Sequence, residues 1–413
     1  MSRDFRLLWI GETTSEFGSN ITGVAFPLIA AATLHADAFV VGLLASAAWM
    51  PWLLLGLPAG AWVDRVRRKR IMLVCDLAAA ACYVSIPVAW WLGLLTTVQL
   101  IVVAVLGGTA TVFFTTAYHA YLPTLVPKSE LTSANARLQA GRSSAEALGP
   151  GASGLIAQFL GLVTGLLFDA ASFLVSAMCL LSIRAREAEL PRPTSRESLR
   201  AQIIEGVRFV AGDRILHSFV AYGAVVNLGL MGYQAIQPVF LLRDVGVGPG
   251  AIGGMLMAGS VGGLIGALLA SRIARRFGTA RAVLWCQLCA VPFGLLLPLA
   301  GPGLGLAPFA IGQFVQVAGI VASNVIFAGF LQGYCPAELR GRVSASSAVV
   351  NYGTVALGAL LGGILADAIG TRPTMWAMTV LLTLSLGILI ASPIRKLRDF
   401  PAQPSASYSQ PRS

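Results

Sequence analysis

The chain has 413 residues, 56% hydrophobic and 11% charged, with a formal net charge of +11. An average soluble domain carries roughly 25% charged residues, so a surface this poor in charge excludes an ordinary soluble enzyme and implies one that faces lipid. The basic excess is spread between apolar runs, without the clustered base-reading face that a nucleic-acid binder needs.

A helical span needs about 20 predominantly apolar residues. In chain order, Phe17–Ala36 and Ala38–Val63 are charge-free and each fits one span. Leu77 to Pro127 contains no charge over 51 residues, enough for spans three and four with a turn at Gly93 to Thr97. Between Arg142 and Arg184 the charges are Glu146 and Asp169, and a break near Gly161 divides spans five and six. Ile215–Leu242 and Val245–Ser271 give spans seven and eight. Ala282 to Ala337, 56 residues without charge, gives nine and ten around Pro298 to Pro308. Val343–Ala366 and Pro373–Ile394 complete the set. The pattern predicts an all-α integral membrane protein with twelve transmembrane helices in two pseudo-symmetric six-helix bundles. The bundles are expected at 1–183 and 215–394. A cytoplasmic linker at 184–214 and a disordered cytoplasmic tail at 395–413 complete the division. Within the linker, Thr194 and Glu197 have capping-box spacing, and Leu199, Ile203, Val207 and Val210 recur on one helical face, predicting an amphipathic helix.

With the N-terminus in the cytoplasm, 27 of the 29 Lys and Arg fall on the cytoplasmic side; Arg243 and Arg372 are the exceptions. This is the positive-inside bias, and it places both termini in the cytoplasm. No cleavable signal peptide is visible, because the first span carries Glu12 and Glu16 and ends in no small-residue cleavage site. Cys286 and Cys289 spell C-x-x-C inside a span without His or Cys partners and read as inert thiols; no metal is expected.

Two stretches recur at a constant offset. Arg65-x-x-Arg68-Lys69 is echoed by Arg272-x-x-Arg275-Arg276, and Pro127-Lys-Ser-Glu130-Leu131 by Pro336-Ala-Glu338-Leu339. A duplicated six-span unit leaves such traces. The first stretch lies in Gly60-Ala-Trp-Val-Asp64-Arg65-Val-Arg67-Arg68-Lys69-Arg70, which resembles the signature loop of the major facilitator superfamily. Asp64 at a helix end can accept hydrogen bonds from a neighbouring helix N-terminus, whose dipole favours an anion. Gly60, Asp64, Arg65, Arg68 and Lys69 are therefore the candidate cytoplasmic gating loop. Phe5-Arg-Leu-Leu-Trp9, Phe168-Asp-Ala-Ala-Ser-Phe173 and Pro336-Ala-Glu-Leu-Arg-Gly-Arg342 resemble the drug-exporter branch that includes macrolide exporters and the enterobactin exporter. Leu148-Gly149-Pro150-x-x-x-Gly154 partly resembles the motif of proton-coupled antiporters, with Ser153 where that motif has a further glycine.

Charges at membrane depth are costly and mark function by default. Glu12, Glu16 and Asn20 follow at i, i+4 and i+8 and share one helix face. Counted from Leu7 at 1.5 Å per residue, Glu16 lies roughly 13 Å into the first span. Desolvation favours the neutral form of a carboxyl, which suits a group that takes up and releases protons. Arg142 and Glu146 in span five read first as an i, i+4 ion pair; by the resemblance, this span also lines the cavity, leaving a coupling role open. Asp76 and Asp169 read as local helix contacts, and Tyr118 and His119 as packing. In the second half, Asn227, Gln234 and Gln237 share a face of span seven. Gln313, Gln316 and Asn324 lie in span ten and Asn351 with Tyr352 in span eleven; these amides serve either as interhelical glue or as substrate contacts.

The expected function is secondary active export of hydrophobic or amphipathic small molecules, with a cargo that is drug-, antibiotic- or siderophore-like. Binding is expected near the midplane between the halves, with alternating access and protons as the coupling ion. Alternatives are uptake of a polar metabolite, which asks for a more charged cavity, and a non-transporting membrane sensor. No P-loop occurs, so neither nucleotide nor another cofactor is expected, and no enzyme constellation is present. The partners are a small-molecule substrate and the lipids of a bacterial cytoplasmic membrane, around a monomer.

Overall fold

The computed structural model describes residues 2–63, 65–185, 187, 208, 211–334 and 337–401. They form α1 (Arg3–Leu28), α2 (Ala38–Val63), α3 (Arg68–Trp91), α4 (Thr97–Leu125), α5 (Leu131–Phe159) and α6 (Leu162–Ser182). After the linker come α7 (Arg214–Val239), α8 (Pro249–Phe277), α9 (Thr279–Ala290), α10 (Ala307–Tyr334), α11 (Ala337–Ile369) and α12 (Thr371–Leu384). No strand occurs among the described residues. The linker helix expected from Thr194 and Glu197 lies outside them.

Ten of the described helices contain a window long and apolar enough to cross a membrane. The two that fall short are α1 and α5, whose polar residues dilute the pattern; with them the count is twelve. The two spans least typical of a membrane helix are thus the two that carry Glu12, Glu16, Arg142 and Glu146.

Span nine departs from a plain helix. α9 stops at Ala290 and the chain continues as a 3-10 helix, Val291–Leu299. Pro292 and Pro298 lack the N–H that an α-helical bond would use, and the tighter helix re-forms the ladder around them.

By contacts the chain divides into two compact units, Met1–Arg196 with Ala235–Met257 and Glu197–Gln234 with Ala258–Ser413. In the first, α1 packs on α6 and α5, α2 on α4, and α3 on α6 and α4. In the second, α10 packs on α9 and on Val291–Leu299, which also meets α12. Lipid tails are as apolar as leucine, so close backbone approach and interhelical hydrogen bonds must hold such bundles. The glycines of α8 supply this: a Cβ on Gly262 or Gly266 would lie 2.2 Å from Phe314 O or 2.1 Å from Ala318 O of α10.

The first unit has two buried apolar clusters at opposite ends of α1. Phe5 and Leu8 join Met72, Tyr121, Leu138 and Leu180 at one end. Phe26 and Ile29 join Val41, Leu44, Ile86 and Leu100 at the other. The stretch of α1 between the clusters, Gly11 to Thr22, is where polar chemistry sits.

The ends of α1 and α7 repeat one another. Each helix carries a proline near its end, Pro27 and Pro238, then a π-helical turn, Ile29–Thr33 and Phe240–Asp244. Each turn leads to a residue of positive φ, His35 at 49° and Gly246 at 75°. All three features are offset by 211 residues, as a duplicated unit requires.

Candidate functional site

α1 presents two polar faces, set by its sequence spacing. Gly11, Ser15, Gly18 and Thr22 are buried and form a small-residue stripe. At Gly11 and Gly18 this stripe lies against α6: a Cβ on Gly11 would lie 3.2 Å from Ser176 Cα, and one on Gly18 2.9 Å from Asp169 Cα. Thr22 donates to Asp169, which Ser172 also approaches at 3.3 Å. Asp169 is thus a fully buried structural acid with both carboxylate oxygens hydrogen-bonded.

One residue around the helix, about 100° away, Glu12, Glu16 and Asn20 form the second face. Glu16 meets α5: the Arg142 Nε lies 3.8 Å from Glu16 Oε1 and 3.0 Å from Glu146 Oε1. The expected i, i+4 pair is present, and the same guanidinium reaches the acid of span one. Arg142 therefore stands between two carboxyls, and a change in the charge of either is felt by the other through it. Asn20 turns its amide back onto Glu16 O at 2.8 Å. Its Cβ is also the wall against which Gly149 packs, since a Cβ there would come within 2.4 Å.

The antiporter-like segment fixes this geometry. Pro150, buried within α5, removes one helical hydrogen bond next to Glu146. Gly154 lets the start of α8 cross closely, its added Cβ lying 2.8 Å from Gly253 Cα. Ser153, where the motif has a glycine, donates to Ile21 O at 3.0 Å and ties α5 to α1.

At the cytoplasmic loop, Asp64 lies outside the described residues. Gly60 is half-buried and Arg65 exposed. The anion at the start of α3 is Glu187, which the sequence did not single out. Its two carboxylate oxygens accept from Arg68 N at 2.9 Å and Lys69 N at 2.7 Å. A carboxylate there satisfies two orphan N–H groups and contributes roughly 0.3–1 kcal/mol through the helix dipole. Lys69 Nζ donates to Ile183 O at 2.7 Å, closing the end of α6, and Asp4 Oδ2 accepts from Ala185 N at 2.9 Å. The starts of α3 and α1 are thereby bound to the end of α6 and the first residues of the linker.

The two arginines outside the basic bias also have definite partners. Arg243 Nη2 donates to Ala31 O at 3.1 Å and Ala36 O at 2.8 Å, holding the turn that leaves α1. Arg372 donates to Pro298 O at 2.8 Å and Ala300 O at 3.0 Å, closing the 3-10 helix of span nine. In both cases a guanidinium satisfies carbonyls that a helix end leaves open.

Several amides of the second half tie helices together. Asn227 donates to Asn351. Gln316 accepts from Tyr233 at 2.9 Å and is fully buried, and Gln287 donates to Ser323 at 2.9 Å. Gln237 is buried, Gln234 partly so, and Asn324 exposed. Asn227 with Asn351 and Gln316 with Tyr233 act as interhelical ties. Cys286 and Cys289 are free thiols.

A family model described as transmembrane secretion effector matches residues 1–413. Multidrug efflux pump Tap of Mycolicibacterium fortuitum is 31% identical over 410 residues, covering 95% of this chain and 96% of its own length. Multidrug efflux pump Tap of Mycobacterium tuberculosis (strain ATCC 25618 / H37Rv) is 30% identical over 407 residues, covering 95% and 94%. A crystal structure of a bacterial homologue of iron transporter ferroportin aligns with a TM-score of 0.75 at 16% identity, covering 94% of this chain and 99% of that one. At that identity the likeness is one of fold.

Proposed function

The chain belongs to the transmembrane secretion effector family of the major facilitator superfamily, and from that premise we propose that it exports hydrophobic or amphipathic drug-like molecules by proton antiport. The observation that carries the proton half of this reading is Arg142 held between Glu16 and Glu146 at span depth. A carboxyl that can be neutral or ionised beside a fixed cation is a charge switch, and alternating access needs a group whose charge differs between the two halves of the cycle. The names of the relatives support the export half. The apolar character of the chain fits a cargo that partitions into lipid before it is captured.

In this reading the protein sits in a bacterial cytoplasmic membrane as a monomer among lipids. Both termini are cytoplasmic, as the 27-to-2 distribution of basic residues favours. Protons are the coupling ion and no cofactor takes part.

The test is efflux of ethidium and of a macrolide from proteoliposomes with an imposed pH gradient. The expected result is efflux that stops when the gradient is collapsed. Efflux indifferent to the gradient would contradict proton coupling, and absence of efflux for both probes would contradict the drug-like cargo.

A further inference from the structure

The start of α9 has no cap of its own. Its N-cap is Gly278, which lacks a side chain and stands at φ 87°. The orphan N–H groups that follow are met by the end of the chain. Asp399 Oδ1 accepts from Thr279 N at 2.8 Å, and Arg398 O accepts from Ala280 N at 3.1 Å and Arg281 N at 3.2 Å. Phe400 N donates to Thr279 Oγ1 at 2.9 Å. The Phe400 ring stacks on Phe330 of α10 with centroids 4.3 Å apart. It meets Phe219 of α7 and Phe327 of α10 edge-on, at 5.8 and 6.4 Å. Ile394, fully buried, anchors the 3-10 turn Pro393–Lys396. Residues 393–400 thus form a strap against the start of α9, held at one end by Ile394 and at the other by Phe400.

The strap gathers cations that lie far apart in the sequence. Arg275 and Arg276 close α8, Arg281 opens α9, and Arg395, Lys396 and Arg398 belong to the strap; all six are exposed. The approach is close: a Cβ on Gly278 would lie 2.4 Å from Arg398 O and 2.6 Å from Arg398 Cγ. Among the described residues the one ion pair on this face is Arg398 with Asp399, at 3.9 Å, and Asp399 is already engaged as the cap of α9. Like charges gathered by backbone hydrogen bonds repel one another unless an anion lies among them. Two exposed aromatic side chains adjoin the cations. Phe277 is 48% exposed, with Arg276 Cζ 5.7 Å from its ring centroid. Trp285 is 55% exposed and follows Arg281 by one helical turn. Tryptophan and basic side chains at the end of a membrane helix mark the headgroup level.

We propose that the turn between α8 and α9, together with the strap, is a binding surface for the phosphate headgroups of anionic lipids. A guanidinium matches a phosphate with paired hydrogen bonds. A cluster of about four to eight Lys and Arg beside a membrane helix is the size that attracts anionic lipid. The acyl chains of the bound lipid run along Phe277 and Trp285. The strap positions half of the cations, and its seat on α9 and α10 decides whether they reach the surface. The proposal is independent of the cargo and of the coupling ion.

Trp285 reports on this surface locally. The protein is reconstituted in phosphatidylcholine vesicles that carry an equal fraction of either brominated phosphatidylglycerol or brominated phosphatidylcholine. Quenching at Trp285 is read as the difference from Trp285→Phe in each background. Wild type is expected to favour phosphatidylglycerol about tenfold or more at this site, and less as salt is raised. Arg395→Gln/Arg398→Gln is expected to bring the preference towards parity. Both residues are exposed, so the fold is expected to tolerate the change. Arg3→Gln/Arg6→Gln removes the same charge at the start of α1 and is expected to leave the preference unchanged. Asp399→Ala/Phe400→Ala removes one acid and the ring that seats the strap. By charge alone this variant would bind phosphatidylglycerol more tightly; by release of the strap it binds less tightly, which is the expected result. No preference in wild type, or a preference that survives Arg395→Gln/Arg398→Gln, overturns the proposal. An equal loss in Arg3→Gln/Arg6→Gln, or tighter binding in Asp399→Ala/Phe400→Ala, overturns it as well, because total charge would then account for the effect.

Discussion

Replacing Arg142 by Gln is expected to lower gradient-driven export by about tenfold or more, a loss of roughly 1.4 kcal/mol or more of coupling. The guanidinium lies 3.0 Å from Glu146 and 3.8 Å from Glu16, and its removal takes away the cation that the two carboxyls share. Release of the proton becomes the unfavourable step. The pair is partly exposed, so its contribution to folding is small and the variant is expected to keep its melting temperature. Arg142→Lys separates charge from shape. It keeps the cation but loses the planar group that reaches both acids, and an intermediate rate is expected. Export at the wild-type level in Arg142→Gln would remove this residue from the coupling machinery.

Gly18→Ala is expected to destabilise the fold by about 1–3 kcal/mol, the usual cost of overpacking. The added Cβ would lie 2.2 Å from Ser172 Oγ, 2.5 Å from Asp169 Oδ1 and 2.9 Å from Asp169 Cα. The last contact is with backbone, so α1 must move off α6 and the hydrogen bond from Thr22 to Asp169 is strained with it. Gly23→Ala on the same helix is the control, since nothing lies within 4 Å of a Cβ there. Melting followed by fluorescence on the detergent-purified pair checks this; equal melting temperatures would mean that α1 and α6 are not held by this contact.

Much of the fold was legible because lipid imposes a simple rule on sequence. Every backbone group must be satisfied within a helix, so charge gaps mark spans and loops carry the basic residues. The turn at Gly93 and the break at Gly161, both with positive φ, fall where the gaps placed them. The acids of α1 were legible for the same reason, since charge at depth stands out against an apolar background. The spacing of their partner Arg142 shows the local pair with Glu146; its reach to Glu16 spans 126 residues of sequence and no periodicity encodes it.

What was not legible depended on distance along the chain. Glu187 is polar in a polar linker and gains meaning only from the N-terminus of α3, 118 and 119 residues away. Arg243 and Arg372 did leave a signal, as the two exceptions to the basic bias, yet their carbonyl partners needed coordinates. The proline and π-turn repeat at the ends of α1 and α7 is present in the sequence as Pro27 and Pro238, but a single proline pair carries little weight until the turns behind it are seen. Asp76 and Asp169 look alike in sequence, and the difference between a satisfied and an orphaned oxygen is purely three-dimensional.

In the proton-antiport reading, the carboxyl of Glu16 exchanges a proton when substrate binds. Purified protein in weakly buffered detergent solution, mixed with ethidium in the presence of a pH-indicator dye, tests it directly. Proton release is expected on mixing with wild type, and none with Glu16→Gln at matched ethidium occupancy. Equal proton release from both proteins, or none from a wild type that binds ethidium, would contradict it.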